Sequence, residues 1–276
     1  MPLQLLHADN WSMLNEQRAS PGVFLAELLA QAPELPVQLN AVQLAAFETY
    51  AAELLSWNAR FNLTAITDPK DIAIRHFLDS LSLLLVLPDD DQGAAHSKRR
   101  MIDVGTGAGF PGVPLAIVRP RWSVTLLEAT RKKIRFLEHL VAALKLQNVS
   151  IVTGRAEEVG HDRQYRGQYD IVVARGLATL PVLLEYCAPF CRPGGLIVAP
   201  KKGDITAEIA QGRRAAVALG AAIREVRPVT LPGLTDNRVV VVAEQRQPVS
   251  PIYPRAAGVL RKRPLGSTKL PVGYAE

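Results

Sequence analysis

The stretch Met101-Ile102-Asp103-Val104-Gly105-Thr106-Gly107-Ala108-Gly109-Phe110, continued by Pro111-Gly112-Val113-Pro114-Leu115-Ala116-Ile117-Val118, constrains this chain more than any other. A short apolar run ends in a cluster of glycines, and apolar residues resume at helical spacing in Val113, Leu115, Ala116 and Ile117. That order predicts a buried strand, a tight turn and a helix. Glycines let the backbone approach a ligand and take up φ > 0 at little steric cost. The helix start supplies N–H groups that have no partner within the helix. Strand, glycine turn and helix together open a nucleotide-type binding site.

The glycines at 105, 107 and 109 are spaced Gly-x-Gly-x-Gly, whereas a dinucleotide fingerprint would put its last glycine where Phe110 stands. Asp103 closes the strand just before the loop. A carboxylate there repels a pyrophosphate and suits a cationic ligand, such as a sulfonium bearing an α-amino group. This combination resembles motif I of S-adenosylmethionine (SAM)-dependent methyltransferases. The resemblance implies SAM as cofactor, with Asp103, Gly105, Gly107, Gly109 and Phe110 as candidate contacts.

At 276 residues with 48% hydrophobic content, the chain can hold one large α/β domain and an accessory segment. No run reaches the length of a membrane span, and Met1–Trp11 lacks the pattern of a secretory signal. Cys187 and Cys191 have no third or fourth ligand nearby, so they read as small core residues in a reducing compartment and not as a metal site. The expectation is a cytoplasmic protein without metal or membrane partner. A formal net charge of +6 points to an anionic partner. Acidic residues gather early, at Asp89-Asp90-Asp91, while Arg246, Arg255, Arg261, Lys262, Arg263 and Lys269 crowd the end.

Residues 1–20 show no clear periodicity. Apolar residues then recur at helical spacing over 23–35 and 39–57; Trp57 to Thr64 reads as a loop, and Asp68-Pro69 starts a third helical stretch through Arg75-His76-Phe77-Leu78-Asp79-Ser80 to Leu87. Residues 1–95 are therefore expected to form an N-terminal helical extension. From Arg100, short apolar runs alternate with helices as in a doubly wound parallel sheet. Strands are expected at 124–128, 149–152, 169–173, 196–199, 223–229 and 238–243 besides the one ending at Asp103. Helices are expected at 131–145, 180–191 and 205–219. No helix separates the last two strands, so they should pair as a hairpin. The pattern resembles a class I, Rossmann-like methyltransferase domain with a seven-stranded sheet, here over 96–245. Residues 246–276 read as a basic tail whose prolines disfavour a packed helix.

Glu128 ends the second strand, where an acidic side chain can accept both ribose hydroxyls. Ala156 and Glu157, after the third strand, are candidates to border the adenine. Strand four leads into Ala174-Arg175-Gly176-Leu177, without the Asn/Asp-Pro-Pro-Tyr/Phe of amine methylation or the cysteine of pyrimidine C5 methylation. Arg175 can bond guanine O6 or a phosphate, or stack on a base. Guanine N7 suits such a site: its lone pair is free at neutral pH, so alignment suffices and no proton need be removed.

Trp57-Asn58, Asn62-Leu63-Thr64, Arg75-His76-Phe77-Leu78-Asp79-Ser80, Asp103 to Gly112, Ala174-Arg175 and Lys202-Gly203 together resemble the bacterial 16S rRNA guanine-N7 methyltransferase G family, also called glucose-inhibited division protein B. The resemblance spans residues 40–245. It implies transfer of a methyl group from SAM to N7 of one guanine in 16S rRNA, with naked RNA or a small-subunit particle as substrate. It also implies SAM contacts at Gly105, Phe110, Ala156, Glu157 and Arg175. Phe110 stands where an aliphatic residue is common. Arg175 and Lys202 are the candidate catalytic residues, while Lys201, Lys202, Arg238, Arg255, Arg261, Lys262 and Arg263 are candidate RNA contacts. Which of Lys201 and Lys202 faces RNA is open. His76 reads as a satisfied helix-junction residue, not a base. A small-molecule SAM-dependent methyltransferase is the main alternative, and a non-enzymatic RNA-binding protein the second.

Overall fold

The computed structural model describes residues 20–89 and 98–267. Most of the unpatterned start, Asp90 and Asp91 of the acidic linker, and Lys269 of the tail lie outside the described residues.

Helix α1 (Pro21–Ala30) starts on Ser20 with proline in its first turn. Helix α2 (Ala41–Phe61) begins in a capping box: Gln43 N–H donates to Asn40 Oδ1 (2.9 Å) and Asn40 N–H donates to Gln43 Oε1 (3.1 Å). It runs through Trp57 to Phe61, where the sequence reads as a loop. The physical reason is continued burial, because the Trp57 ring packs on Phe61, Phe136 and His139. Asn62, in the left-handed region at φ 49°, ends the helix. Asp68 caps the next one by accepting from the N–H groups of Lys70 and Asp71. That helix, α3, comprises Pro69–Ile72, a π-helical turn at Ala73–Leu78 and Asp79–Leu81, and it finishes in a 3-10 turn at Ser82–Leu85. Arg75 and His76 ride on the π turn, a local widening often found at functional sites.

The remaining elements alternate as β1 (Arg100–Val104), α4 (Gly112–Val118), β2 (Ser123–Glu128), α5 (Arg131–Ala143), β3 (Val149–Thr153), α6 (Ala156–Val159), β4 (Tyr169–Val173) and α7 (Leu180–Cys187). They continue as β5 (Cys191–Lys201), α8 (Thr206–Ala218), β6 (Ala221–Leu231), β7 (Leu234–Gln245) and α9 (Ala257–Lys262). The seven strands stand in the order β3-β2-β1-β4-β5-β7-β6. Strands β1 to β5 pair in parallel, and β7 lies antiparallel to both β5 and β6, as the missing crossover helix requires. Strand β5 starts earlier than the apolar run, because Gly194-Gly195 belongs to an irregularity in its pairing with β4. A side chain at Gly195 would meet the Asp170 carbonyl at 2.9 Å. Strand order reverses between β1 and β4, so the loops following them diverge and leave a crevice at the C-terminal edge.

Alternate side chains of the central strands feed two cores. Ile102, Val104, Val172 and Ile197 pack beneath α7 and α8. Met101, Val124, Leu126 and Val173 face the other way, into a core that also contains Phe47, Tyr50, Leu54, Phe77 and Phe110. The N-terminal helices therefore share one core with the sheet. Phe77, fully buried, touches the rings of Phe47 (4.9 Å), Tyr50 (5.4 Å) and Phe110 (6.1 Å) between centroids. Among the described residues, no helix is long and apolar enough to cross a membrane.

Phe77→Ala should cost about 3–5 kcal/mol of stability, the range for truncating a buried aromatic. Guanidinium unfolding should remain one transition by circular dichroism and tryptophan fluorescence, shifted to lower denaturant. Two separated transitions would show that the helices and the sheet do not share a cooperative core.

Candidate active site

The glycine loop is held from beneath by Asp103. Its Oδ2 accepts from Thr106 Oγ1 (2.6 Å) and from the Gly112 N–H (2.8 Å), joining the loop to the start of α4. Burial pushes the Asp103 carboxyl up to about 6, although these hydrogen bonds and Arg175 pull the other way. Oδ1 is buried without a partner. Gly105 and Gly107 have φ of 71° and 65°, the left-handed region in which only glycine is unstrained. At Gly107 an added Cβ meets nothing closer than Lys133 Nζ at 4.0 Å, so this backbone is open to a ligand.

Glu128 reaches the loop from β2. Its Oε2 accepts from the Gly107 N–H (3.0 Å) and lies 3.8 Å from Lys133 Nζ, while Oε1 accepts from the N–H groups of Ala129 and Thr130. The carboxylate is thereby fixed in place. Gly105, Glu128, Ala156 and Glu157 all line one cleft of about 470 Å³, together with Lys133, Gly176, Tyr186 and Arg261. The cleft sits at the crevice between the β1 and β4 loops, and it offers a nucleoside a carboxylate and glycine backbone.

Five predicted SAM contacts stand outside the cleft: Asp103, Gly107, Gly109, Phe110 and Arg175. Asp103 is fully buried behind the loop, and neither it nor Gly107, Gly109 or Phe110 lines the cleft. Gly109 serves close packing, since a Cβ there would meet Tyr50 Oη at 2.7 Å. Phe110, 4% exposed, is stacked between Tyr50 (4.9 Å) and His76 (4.3 Å), with the Arg175 guanidinium 5.1 Å from its ring. Its aromatic ring is thus a joint between the glycine loop and the N-terminal helices. Tyr50 adds a second tie by donating to the Ala108 carbonyl at 2.6 Å.

Arg175, immediately after β4, is bound to α3. Its Nη1 donates to Asp79 Oδ2 (2.8 Å) and to the Arg75 carbonyl (3.1 Å), and its Nη2 donates to His76 Nδ1 (3.3 Å). An arginine can only donate, so His76 Nδ1 must accept and Nε2–H must donate to Thr64 Oγ1 at 2.9 Å. Thr64 N–H in turn donates to Asn58 Oδ1 (2.8 Å). Burial, then Arg175, push His76 down to about 3. His76 is a neutral structural link, as its junction position predicts. The other Asp79 oxygen accepts from Arg238 Nη1 at 2.5 Å, and Arg238 Nε donates to Asp236 at 2.7 Å. Asp79, one of the Arg75–Ser80 residues that carry the family resemblance, is thus the shared acceptor of both arginines.

The expected RNA contacts divide sharply. Arg238 is spent on Asp79 and Asp236 and is not a free cation. Arg255 is likewise spent: Glu185, fully buried, accepts from its N–H (3.0 Å), Nε (2.7 Å) and Nη2 (2.6 Å). Lys201 donates to the Ala178 carbonyl (2.8 Å) and Glu208 (2.7 Å), bracing the loop after β4. Lys202 is exposed, and Gly203 N–H ties its turn to the Asp236 carbonyl at 3.1 Å. Lys262 and Arg263 are exposed, whereas Arg261 lines the cleft. The described part of the tail, residues 246–267, is packed, contrary to its proline content: residues 257–262 form α9, with Leu260 fully buried.

Fold and glycine-loop cleft together define a class I SAM-dependent methyltransferase. A Klebsiella pneumoniae structure carrying an O-methyltransferase designation shares the fold, with TM-score 0.51 and 17% identity over 81% of this chain and 96% of that one. The family described as rRNA small subunit methyltransferase G matches residues 43–233. Relatives named ribosomal RNA small subunit methyltransferase G include one from Roseiflexus sp. (strain RS-1), 46% identical over 86% of this chain and 98% of its own. Another, from Dehalococcoides mccartyi (strain CBDB1), is 44% identical over 87% of this chain and 99% of its own. The chain belongs to the rRNA small subunit methyltransferase G family.

The neutral His76 has a pH signature. Between pH 6.5 and about 3 the unfolded chain binds a proton at this residue and the folded protein does not, so stability falls with acid across that window. Asp103 acts oppositely between 3.8 and about 6, where the folded state holds the extra proton. The stability deficit of His76→Gln relative to wild type should therefore shrink between pH 7.5 and pH 4, measured by urea unfolding at each pH. A constant deficit would mean that His76 titrates in the fold as it does in the unfolded chain.

Proposed function

We propose that the protein transfers the methyl group of SAM to N7 of a guanine in the RNA of the small ribosomal subunit, in the cytoplasm. The observation that carries this reading is the cleft in which Gly105, Glu128 and the Ala156-Glu157 turn meet beneath Gly176, next to Arg175. SAM, when bound, supplies an electrophilic methyl on sulfur. Glu128 orients the ribose end, the glycine loop permits close approach, and the residues after β4 bring the target base to the crevice. N7 needs no general base, so catalysis rests on alignment. His76 fits that scheme, because both ring nitrogens are occupied and neither is aimed at a substrate proton.

RNA would meet the C-terminal edge of the sheet. Lys202 follows β5 there, and exposed Arg131 opens α5 just after β2. Lys132 Nζ donates to the Phe61 carbonyl (2.8 Å), which holds the end of α2, with exposed Arg60, against that same corner. These cations, and not Arg238 or Arg255, are the candidates to neutralise phosphates. Arg175 keeps the catalytic assignment as the arginine beside the target base, and the Asp79–Arg238–Asp236 chain links it to Gly203, the neighbour of Lys202.

The test is methylation of small-subunit particles and of naked 16S rRNA with labelled SAM, followed by cleavage at N7-methylguanine. One guanine should acquire the label at N7. Label at another atom, or none on either RNA while a small molecule is methylated, would overturn the reading.

Arg60→Ala, Arg131→Ala and Lys202→Ala should each weaken RNA binding and reduce the salt slope of log K by about 1. SAM affinity by calorimetry should not change. A variant with an unaltered salt slope does not contact phosphate.

A further inference from the structure

The segment after β7 is fastened at several places. Arg166 donates to four carbonyls: Nη1 to Gly160 (2.6 Å) and Tyr253 (2.8 Å), Nη2 to Val249 and Ser250 (2.9 Å each). His161 Nε2–H donates to the Pro254 carbonyl at 2.9 Å. Gly160 makes room for this crossing, since a Cβ there would touch Pro254 Cγ at 3.0 Å. Arg255 then closes on Glu185, whose buried carboxylate accepts three hydrogen bonds from that one residue, from its backbone N–H, Nε and Nη2. Removing the segment would strand that charge in the core, which is strongly unfavourable. Leu260 of α9 inserts against Val182 and Tyr186 of α7, and Arg214 of α8 donates to the Gly266 carbonyl at 2.7 Å.

The consequence lies in the cleft. Ala257 and Arg261, on α9, line it together with Glu128, Ala156 and Glu157. Tyr186 lines it too, and burial followed by the charge of Glu157 pushes its hydroxyl up while Arg261 acts in the opposite sense. Glu157, Tyr186 and Arg261 therefore share one corner, on the side where the turn after β3 borders a nucleoside base.

We propose that residues 249–263 form a fixed strap that completes the methyl-donor site, with Ala257 and Arg261 supplying part of its wall beside the adenine end. This inference rests on the reading of the cleft as the SAM site. It gives Arg261 a role in donor binding in place of the RNA contact expected from the basic composition of the tail. The strap follows the last strand, yet the donor site is incomplete without it.

The test is calorimetric titration of SAM into full-length Ala257→Trp, Arg261→Ala and Glu128→Ala proteins, each checked by thermal melting. Ala257→Trp fills the cleft from the strap side and should weaken SAM binding by about tenfold or more. Arg261→Ala should weaken it by about threefold to tenfold. Both substitutions sit at partly exposed or exposed positions and should leave the melting temperature near that of wild type. Wild-type affinity in Ala257→Trp, with Glu128→Ala defective, would overturn the strap while leaving the donor site in place. Wild-type affinity in Glu128→Ala would instead overturn the reading of the cleft. If Arg261→Ala binds SAM normally but raises KM for RNA and flattens its salt dependence, Arg261 is an RNA contact and the proposal is wrong for that residue.

Discussion

A single carboxylate joins the parts of this enzyme. Asp79, 2% exposed, is held between Arg175 at the end of β4 and Arg238 on β7, and it comes from a helix of the N-terminal extension. One buried negative charge thus fixes two guanidinium groups from opposite sides of β5. Removing one member of such a pair leaves an uncompensated charge and costs about 3–5 kcal/mol in comparable sites. Burial first, and then the charges of Arg175 and Arg238, keep His76 neutral beside this carboxylate. Phe110, stacked on His76 and Tyr50, carries the same rigidity into the glycine loop.

The proposed methyl transfer, to a ring nitrogen with a free lone pair, asks the protein for placement above all else. The structure meets that demand by removing slack. Asp103 pins the glycine loop to α4, Glu128 is held by three backbone N–H groups, and Lys201 braces the loop after β4 through Ala178 and Glu208. The exposed cations at the sheet edge stand apart from this network. Internal arginines tie the elements together, and on the proposed reading the external cations meet the phosphate backbone, which positions a substrate without reading its sequence.

The sheet was legible in the sequence because strand, turn and helix signals are local. All seven strands and the closing hairpin followed from apolar runs and the missing last crossover, and the cleft residues Gly105, Glu128, Ala156 and Glu157 from their places at strand ends. Pairing over long separations was not legible. Asp79 lies 96 residues from Arg175 and 159 from Arg238, so a count of basic residues could not reveal that Arg238 is already neutralised. Arg255 misled in the same way, its partner Glu185 being hidden in a helix 70 residues earlier. The tail was misjudged because prolines forecast the loss of regular structure, whereas side chains from elsewhere, Arg166 above all, bind its carbonyls. Trp57–Phe61 read as a loop because its aromatic contacts lie on α5.

The claim that Asp79 sets the substrate side of the site by holding Arg175 is tested most directly by a double-mutant cycle. Asp79→Asn, Arg175→Ala and the pair would be assayed for kcat on small-subunit RNA and for SAM affinity, at a temperature where all remain folded. Each single change should lower kcat by about tenfold or more with SAM affinity little altered, and the double variant should be no worse than Arg175→Ala alone. Additive losses in kcat, or a fall in SAM affinity that matches the fall in rate, would contradict it.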